Sequence, residues 1–325
     1  MTAASSKWEA PIELLKRAAP KAPCQLYTAI QAEHDRATLV RSHLERLWTI
    51  YRPYATKHFY DQFPLHTQDR FWEMYLAAAL LQRDFKLSRL TDNAPDVGLT
   101  LDCGQKVWFE AVAPGPGVPG APDSVPPLEP MTGRVSIARQ FPEEQILLRL
   151  TQALREKRRQ RARQMRGRLV GLRDAYVIAI NVGGIPEAWW GAQIPTILKA
   201  LFPIGHMTVS FDLESRVSSR IGWSSRPQIE KSGGGAVATT LFANPRGRGV
   251  SAVLYSTTHL GRLAHDAPVE PGSDFVLVHN PFATVPLRRG FVGGVEEWEA
   301  EESGDGFMVV RPHASRDNKP SQKGA

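Results

Sequence analysis

Two acids stand where carboxylates are expensive to keep. Asp96 opens the stretch Pro95 to Val112, PDVGLTLDCGQKVWFEAV, and Glu110 sits in its most apolar part, between Trp108-Phe109 and Ala111-Val112. A carboxylate in such surroundings must find a partner or bind a cation, because burying it alone costs several kcal/mol. The stretch holds two short runs of strand character, Val97 to Leu101 and Lys106 to Ala113, separated by the turn-forming Asp102-Cys103-Gly104. A β-hairpin follows. If the loop has three residues with Gly104 in the left-handed region, Leu101 pairs with Gln105 and Asp96 falls directly opposite Glu110. Opposed residues share a face with Cβ atoms roughly 4.5–5.5 Å apart, close enough for a divalent cation to lie between the acids. A loop one residue longer would send them to opposite faces.

Further groups with chemical potential flank the hairpin. Glu73 lies in FWEMYLAAALL, a helix expected from about Arg70 to Gln82, on the face of Leu76, Ala77 and Leu80. It either pairs with a nearby arginine or joins the acids of the hairpin. A second helix starts at Pro142, with Glu143 and Glu144 in its first turn. On it, Ile146, Leu150, Ala153 and Lys157 fall within about 40° of one another at 100° per residue. Lys157 therefore continues the buried stripe. It either snorkels to water or supplies an ammonium to a site at the sheet. Gln145, near the start of the same helix, could add a hydrogen bond. The helix then becomes basic: Arg155, Arg158, Arg159, Arg161, Arg163, Arg166 and Arg168 face the single acid Glu156. Such a run is either a solvated face or a phosphate-binding one, for which guanidinium geometry is suited.

These residues need elements to hold them. The apolar positions from Leu26 to Phe63 recur at helical spacing, and Thr67 or Asp69 is placed to cap the Glu73 helix. Phe85 to Leu90 reads as a strand and Thr91-Asp92-Asn93 as the turn into the hairpin. Tyr176 to Asn181, YVIAIN, has the continuous apolar character of a central, doubly covered strand. The order is helix, strand, strand, strand, helix, strand, a mixed α/β layer architecture. Between hairpin and basic helix, Pro114 to Phe141 is a long proline-rich segment without periodicity, either functional or a disordered excursion.

At 325 residues and 42% hydrophobic content, the chain can bury a sizeable core. Its two cysteines, Cys24 and Cys103, lie far apart with no CxxC or Cys/His spacing, so they suggest neither a disulfide framework nor a structural zinc site and favour a reducing compartment. No apolar run approaches the length of a membrane span, so a cytoplasmic protein with no membrane partner is expected. The net charge of +7 points toward a polyanion.

Glu73 on a helix, Pro95-Asp96, and Glu110-Ala111-Val112 after thirteen intervening residues, followed by a helix and a strand, resemble the core of the PD-(D/E)XK nuclease superfamily. The resemblance covers Arg70 to Asn181. It implies a restriction-endonuclease-like fold and metal-dependent phosphodiester hydrolysis. In such a family the acids matching Asp96 and Glu110 and the main-chain carbonyl of Ala111 hold Mg²⁺, for which Mn²⁺ can substitute, and the helical acid matching Glu73 assists. One departure stands out. The family's lysine would fall at Val112, and Lys157 is the candidate replacement, since some members supply that lysine from the following helix; Lys106 lies on the correct strand face but about 13 Å from Glu110.

The expected organisation is an N-terminal arm and helical segment (1–65), a nuclease-like core (66–182), a C-terminal α+β extension or second lobe (183–300) and a polar tail (301–325). In the extension, Ile185 to Phe202 reads as a helix interrupted by Pro195, with strands at Met207 to Leu213, Ala236 to Phe242, Val250 to Ser256 and Phe275 to His279. Glu296 to Glu302 and Arg311 to Ala325 read as a frayed tail. The expected function is a Mg²⁺-dependent endonuclease acting on DNA, with Arg155, Arg158, Arg159, Arg161, Arg163 and Arg166 holding phosphates. The alternatives are a nuclease-like nucleic-acid-binding or assembly subunit without catalysis, which Val112 favours, and a protein whose acids are only structurally paired. A homodimer is left open.

Overall fold

The hairpin closes as its turn residues dictate. Gly104 adopts φ +80°, the Gly104 N–H donates to the Leu101 carbonyl, and the Leu101 N–H donates to Gln105. Strands β1 (Val97–Thr100) and β2 (Lys106–Val112) pair antiparallel with Val97 opposite Phe109, so the next pair back is Asp96 and Glu110. The loop therefore has three residues. The computed structural model that shows this describes residues 13–15, 22–88, 93–128, 140–189, 194–211, 218–303 and 306–310.

Helices α1 (Gln25–Gln31), α2 (Asp35–Tyr51) and α3 (Lys57–Gln62) form the N-terminal layer, packed through Trp48, Tyr51, Phe59 and Phe63. Helix α4 (Thr67–Leu81) is buried on nearly every side because α2 covers it from one direction and the sheet from the other. The Trp72 indole N–H donates to the Ala179 carbonyl at 3.0 Å, tying α4 to the strand beneath it. Neither Thr67 nor Asp69 caps this helix; it begins at Thr67, with His66 in the cap position.

Helix α5 (Glu143–Arg166) covers the opposite face and leads into β3 (Ala175–Asn181), buried throughout. Its apolar residues Ile146, Leu147, Leu150 and Leu154 pack on Tyr176, Ile178 and Ile180, whereas Val177 and Ala179 face the α4 side. Strand β2 runs parallel to β3, as a crossover through a helix requires. Helix α6 (Thr196–Leu201) joins the α5 layer.

The remaining strands are β4 (Ile204–Phe211), β5 (Ser218–Ser225), β6 (Gln228–Glu230), β7 (Ala236–Ala238), β8 (Ala252–Ser256), β9 (Val276–His279), β10 (Glu296–Ser303) and β11 (Gly306–Val310). The main sheet has the order β1-β2-β3-β8-β9-β10-β11 and is mixed; β4-β5 and β6-β7 are separate hairpins. Of the strands after residue 183, β8 to β11 thus extend the central sheet, while β4 to β7 do not join it.

Several expected elements change. Residues 85–88 contribute only an isolated bridge, Leu87 to Leu99, rather than a full strand, and residues 89–92 lie outside the described residues. Among the described residues, the helix expected over Ile185 to Phe202 shows only a 3₁₀ turn at Pro186–Trp189 and α6, which Pro195 starts from a non-helical conformation; residues 190–193 lie outside the described residues. The strand from Ala236 ends at Ala238, well before Phe242. The acidic stretch at Glu296 is no frayed tail: β10 pairs parallel with β9, placing Trp298 and Ala300 against the α5-side core. The boundary at 301 falls inside that strand, and residues 311–325 lie outside the described residues. Among the described residues, no helix is long and apolar enough to cross a membrane.

Candidate functional site

The alternation of β2 decides which way its acid points. Phe109 packs in the core under α4, Trp108 in the core under α5, so Glu110 shares the α5 face with Trp108 and Val112. Across the hairpin, Gly98 lies on that same face: a Cβ there would come 2.4 Å from the Trp108 ring. Asp96, two residues earlier, follows the same alternation.

Glu110 is 1% exposed and meets three donors from α5 and β3. Lys157 Nζ lies 2.8 Å from Oε1, Gln164 Nε2 donates to Oε2 at 2.9 Å, and the Tyr176 hydroxyl lies 3.2 Å from Oε2. The same hydroxyl is 3.1 Å from Gln164 Oε1, so it has two acceptors within reach. Lys157 also contacts Gln160 Oε1 at 3.3 Å. Burial, then the Glu110 carboxylate, push the Tyr176 phenol well above its ordinary pKa.

Lys157 thus occupies the position foreseen for it, while Gln164 and Tyr176 were missed. Gln164 was findable: at seven residues beyond Lys157 it returns to within about 20° of the same helix face. Tyr176 stands two residues before Ile178 on an alternating strand, but its reach to a neighbouring strand depends on packing. Gln145 contributes no hydrogen bond to Glu110; Gln164 supplies that contact. Lys106 is exposed, with Nζ 5.7 Å from the Trp108 ring centroid. Val112 packs, partly buried, against the α5-side core.

Asp96 accepts a hydrogen bond from the Ala111 main-chain N–H at 2.8 Å, which ties the two acid-bearing strands together. Its surroundings disfavour the anion. Burial first, and Glu110 second, raise its pKa to about 8, against the opposing pull of Lys157. Glu73 lies on α4 and has its own partners: the Tyr51 hydroxyl donates to Oε1 at 2.7 Å and Arg70 pairs with Oε2 at 2.5 Å. Burial raises the Glu73 carboxyl, partly countered by Arg70, and its charge in turn contributes to the rise at Asp96. Pairing with a nearby arginine is therefore what the structure shows for Glu73. Asp69, one turn earlier and expected from sequence only as a helix cap, is also raised by burial while Arg70, His66, a bond from the Ala113 backbone and Lys157 pull it down.

The oxygen donors present suit a hard divalent cation. Mg²⁺ retains waters and is commonly bound through one or two carboxylates, which Asp96 and Glu110 can provide. The two Glu110 oxygens have about four acceptor sites, and the three donors do not exhaust them. Among the described residues no group of three or more His, Cys, Asp or Glu is arranged around a common cation position, so such a site would rest on these two acids, main-chain oxygen and water.

The basic residues of α5 divide by face. Arg155, Arg159, Arg163 and Arg166 are exposed. Arg158 and Arg161 are partly buried: Arg158 donates to the Arg246 carbonyl at 2.5 Å, and the Arg161 guanidinium lies 5.6 Å from the Tyr176 ring centroid.

No family model, curated protein or solved structure matches this chain.

Proposed function

We propose that this chain is a Mg²⁺-dependent endonuclease that hydrolyses phosphodiester bonds, with DNA as its substrate, in the manner implied by its resemblance to the PD-(D/E)XK nucleases. The observation that carries the reading is the 2.8 Å contact between Lys157 and Glu110, in a hairpin whose register sets Asp96 opposite Glu110. An acid pair and an ammonium from the next helix supply the charges the resemblance asks for, despite Val112.

Asp96, Glu110 and the Ala111 carbonyl would hold the metal, and bound Mg²⁺, or Mn²⁺ in its place, would activate water and neutralise charge on the scissile phosphate. Lys157, in contact with Glu110, would place a positive charge beside the acid pair that could stabilise developing negative charge. Gln164 and Tyr176 hold the Glu110 carboxylate in one orientation from the side opposite Lys157. Glu73, held by Tyr51 and Arg70, would assist through its electrostatic effect on Asp96.

The test is cleavage of supercoiled plasmid and labelled oligonucleotides with Mg²⁺, with Mn²⁺ and with EDTA. Wild type should cleave only with metal, and Asp96→Asn and Lys157→Gln should each abolish cleavage while leaving DNA binding intact. Metal-independent cleavage, or cleavage unaffected by either substitution, excludes this assignment.

A second reading is favoured by one specific arrangement. Both Glu110 oxygens already have donors from the protein, as in a self-neutralised structural cluster, and Val112 replaces the motif lysine. On that reading the chain binds nucleic acid without cutting it, and both metals leave the plasmid intact while binding persists.

A further inference from the structure

Beside α5, and away from the acid pair, a groove of about 760 Å³ opens between that helix and the segment preceding β8. Six arginines line it: Arg155, Arg158, Arg159 and Arg161 from α5, and Arg246 and Arg248 from a loop that the basic run did not include. No acidic side chain lines it. Among the described residues, none of the six forms an ion pair with a carboxylate.

Asp174 acts on Arg161 from outside the groove without an ion pair, so most of this gathered positive charge is left for an anion to balance. Burial lowers the pKa of Arg158 and of Arg161, which marks both guanidiniums as partly stripped of water. The buried Arg161 Nε has no hydrogen-bond partner. The opposite wall is built to stay close. Buried Asn280 donates to the Gly247 and Val250 carbonyls, at 3.1 and 2.7 Å, and Arg158 holds the Arg246 carbonyl. Gly249 admits the Arg161 guanidinium against the backbone: a Cβ there would lie 2.6 Å from Nη1. Ala162, Met165, Val250 and Leu172 add an apolar strip, and Leu172 is 78% exposed.

On the helix, Arg158, Ala162 and Met165 project about 80–140° around the axis from Lys157. Arg161, only about 40° from Lys157 and 5.6 Å from the Tyr176 ring, joins the groove to the acid cluster, whereas Arg246 and Arg248 belong to the far wall and can be altered without touching the acid pair.

We infer that this groove binds consecutive phosphates of a nucleic-acid backbone, with Arg246 and Arg248 supplying the wall that faces the basic helix. The inference rests on the reading of the chain as a nucleic-acid protein, and it adds residues and a register to that reading. Two rows of guanidiniums facing each other match a charged chain lying lengthwise, with the apolar strip beside it accepting sugar or base faces. Free polyphosphate shares the same anionic chemistry.

The experiment measures anisotropy of fluorescein-labelled duplex and single-stranded DNA with the full chain in EDTA, over a range of salt. Arg246→Ala/Arg248→Ala is compared with Arg163→Ala/Arg166→Ala, which removes equal charge from the exposed end of the same helix. The first pair should weaken binding by about tenfold and flatten the salt dependence by about one to two phosphate contacts, and the second pair by much less. Equal losses from the two pairs, or no loss from the first, overturn the groove. Circular dichroism and melting of each variant show whether the fold is kept, and Arg248→Lys should recover part of the affinity if charge rather than packing is at issue. Tripolyphosphate provides the second arm. If it binds and the DNAs do not, the nucleic-acid assignment of the groove is overturned. Because this assay contains no metal, it is independent of cleavage: loss of binding in the Arg246/Arg248 variant supports the groove even if wild type leaves plasmid uncut in Mg²⁺ and Mn²⁺, a result that removes only the endonuclease reading.

Discussion

Lys157 Nζ and Glu110 Oε1, forty-seven residues apart in sequence, meet at 2.8 Å between helix α5 and strand β2. Lys157 keeps some exposure while Glu110 has almost none, so the two partners are unequal. Removing the lysine leaves a buried carboxylate held only by Gln164 and Tyr176. Removing the carboxylate leaves a lysine that can extend to water.

Lys157→Met should therefore destabilise the fold by about 2–4 kcal/mol, below the upper range for fully buried pairs, and Glu110→Gln by less. Urea melts of both single variants and the double variant measure the coupling between them. Additive effects would show that the contact does not hold the helix to the sheet. If the endonuclease reading holds, Lys157→Met should also lower cleavage by about 10²-fold or more.

Tyr176→Phe removes one donor to Glu110 without opening a cavity. Its stability effect should be about 1 kcal/mol, because Gln164 continues to satisfy Oε2. A loss several times larger in thermal or urea melts would mean that the hydroxyl, rather than the amide, carries that side of the cluster.

Asp96 sets a pH dependence. Its folded pKa is raised to about 8, first by burial and then by Glu110, from an ordinary value of 3.8. Between those values the unfolded chain releases a proton that the folded one retains, so stability falls as pH rises. The contribution is fully present below the unfolded pKa, declines as pH climbs, and is gone above about pH 8. Asp96→Asn should lose this slope. Melting temperatures of both proteins in EDTA from acid to mildly alkaline pH test it, and parallel profiles would contradict the assignment to Asp96.

Gly98→Ala should disturb the hairpin at its closest approach. The new methyl would meet the Trp108 ring, which is held by the bond from its indole N–H to Asp174 at 2.9 Å. A destabilisation of about 1–3 kcal/mol is expected from overpacking. If the register shifts to relieve the clash, the Ala111 N–H bond to Asp96 is lost, visible as faster amide exchange at Ala111. Unchanged melting and exchange would show that the ring moves freely.

Local rules made the hairpin legible. Asp102-Cys103-Gly104 demanded a turn, Gly104 supplied its left-handed residue, and the two-residue period then set Asp96 against Glu110. The buried stripe of α5 likewise carried Lys157 to the sheet. The sequence of β10 held a comparable signal, Trp298 and Ala300 alternating with Glu297, Glu299 and Glu301, which the charge of the segment concealed.

What the sequence by itself determined were the features that depend on neighbours along the chain: turn type, strand alternation, helix faces and the proximity of two acids within one hairpin. Only the tertiary structure decided which distant groups meet them. Tyr51 and Arg70 claim Glu73, Gln164 and Tyr176 claim Glu110, and Arg246 and Arg248 face Arg158 and Arg161 across a groove. The physical reason is that periodicity assigns a side chain to a face, whereas its partner is chosen by the packing of separate elements across that face, which no local spacing encodes.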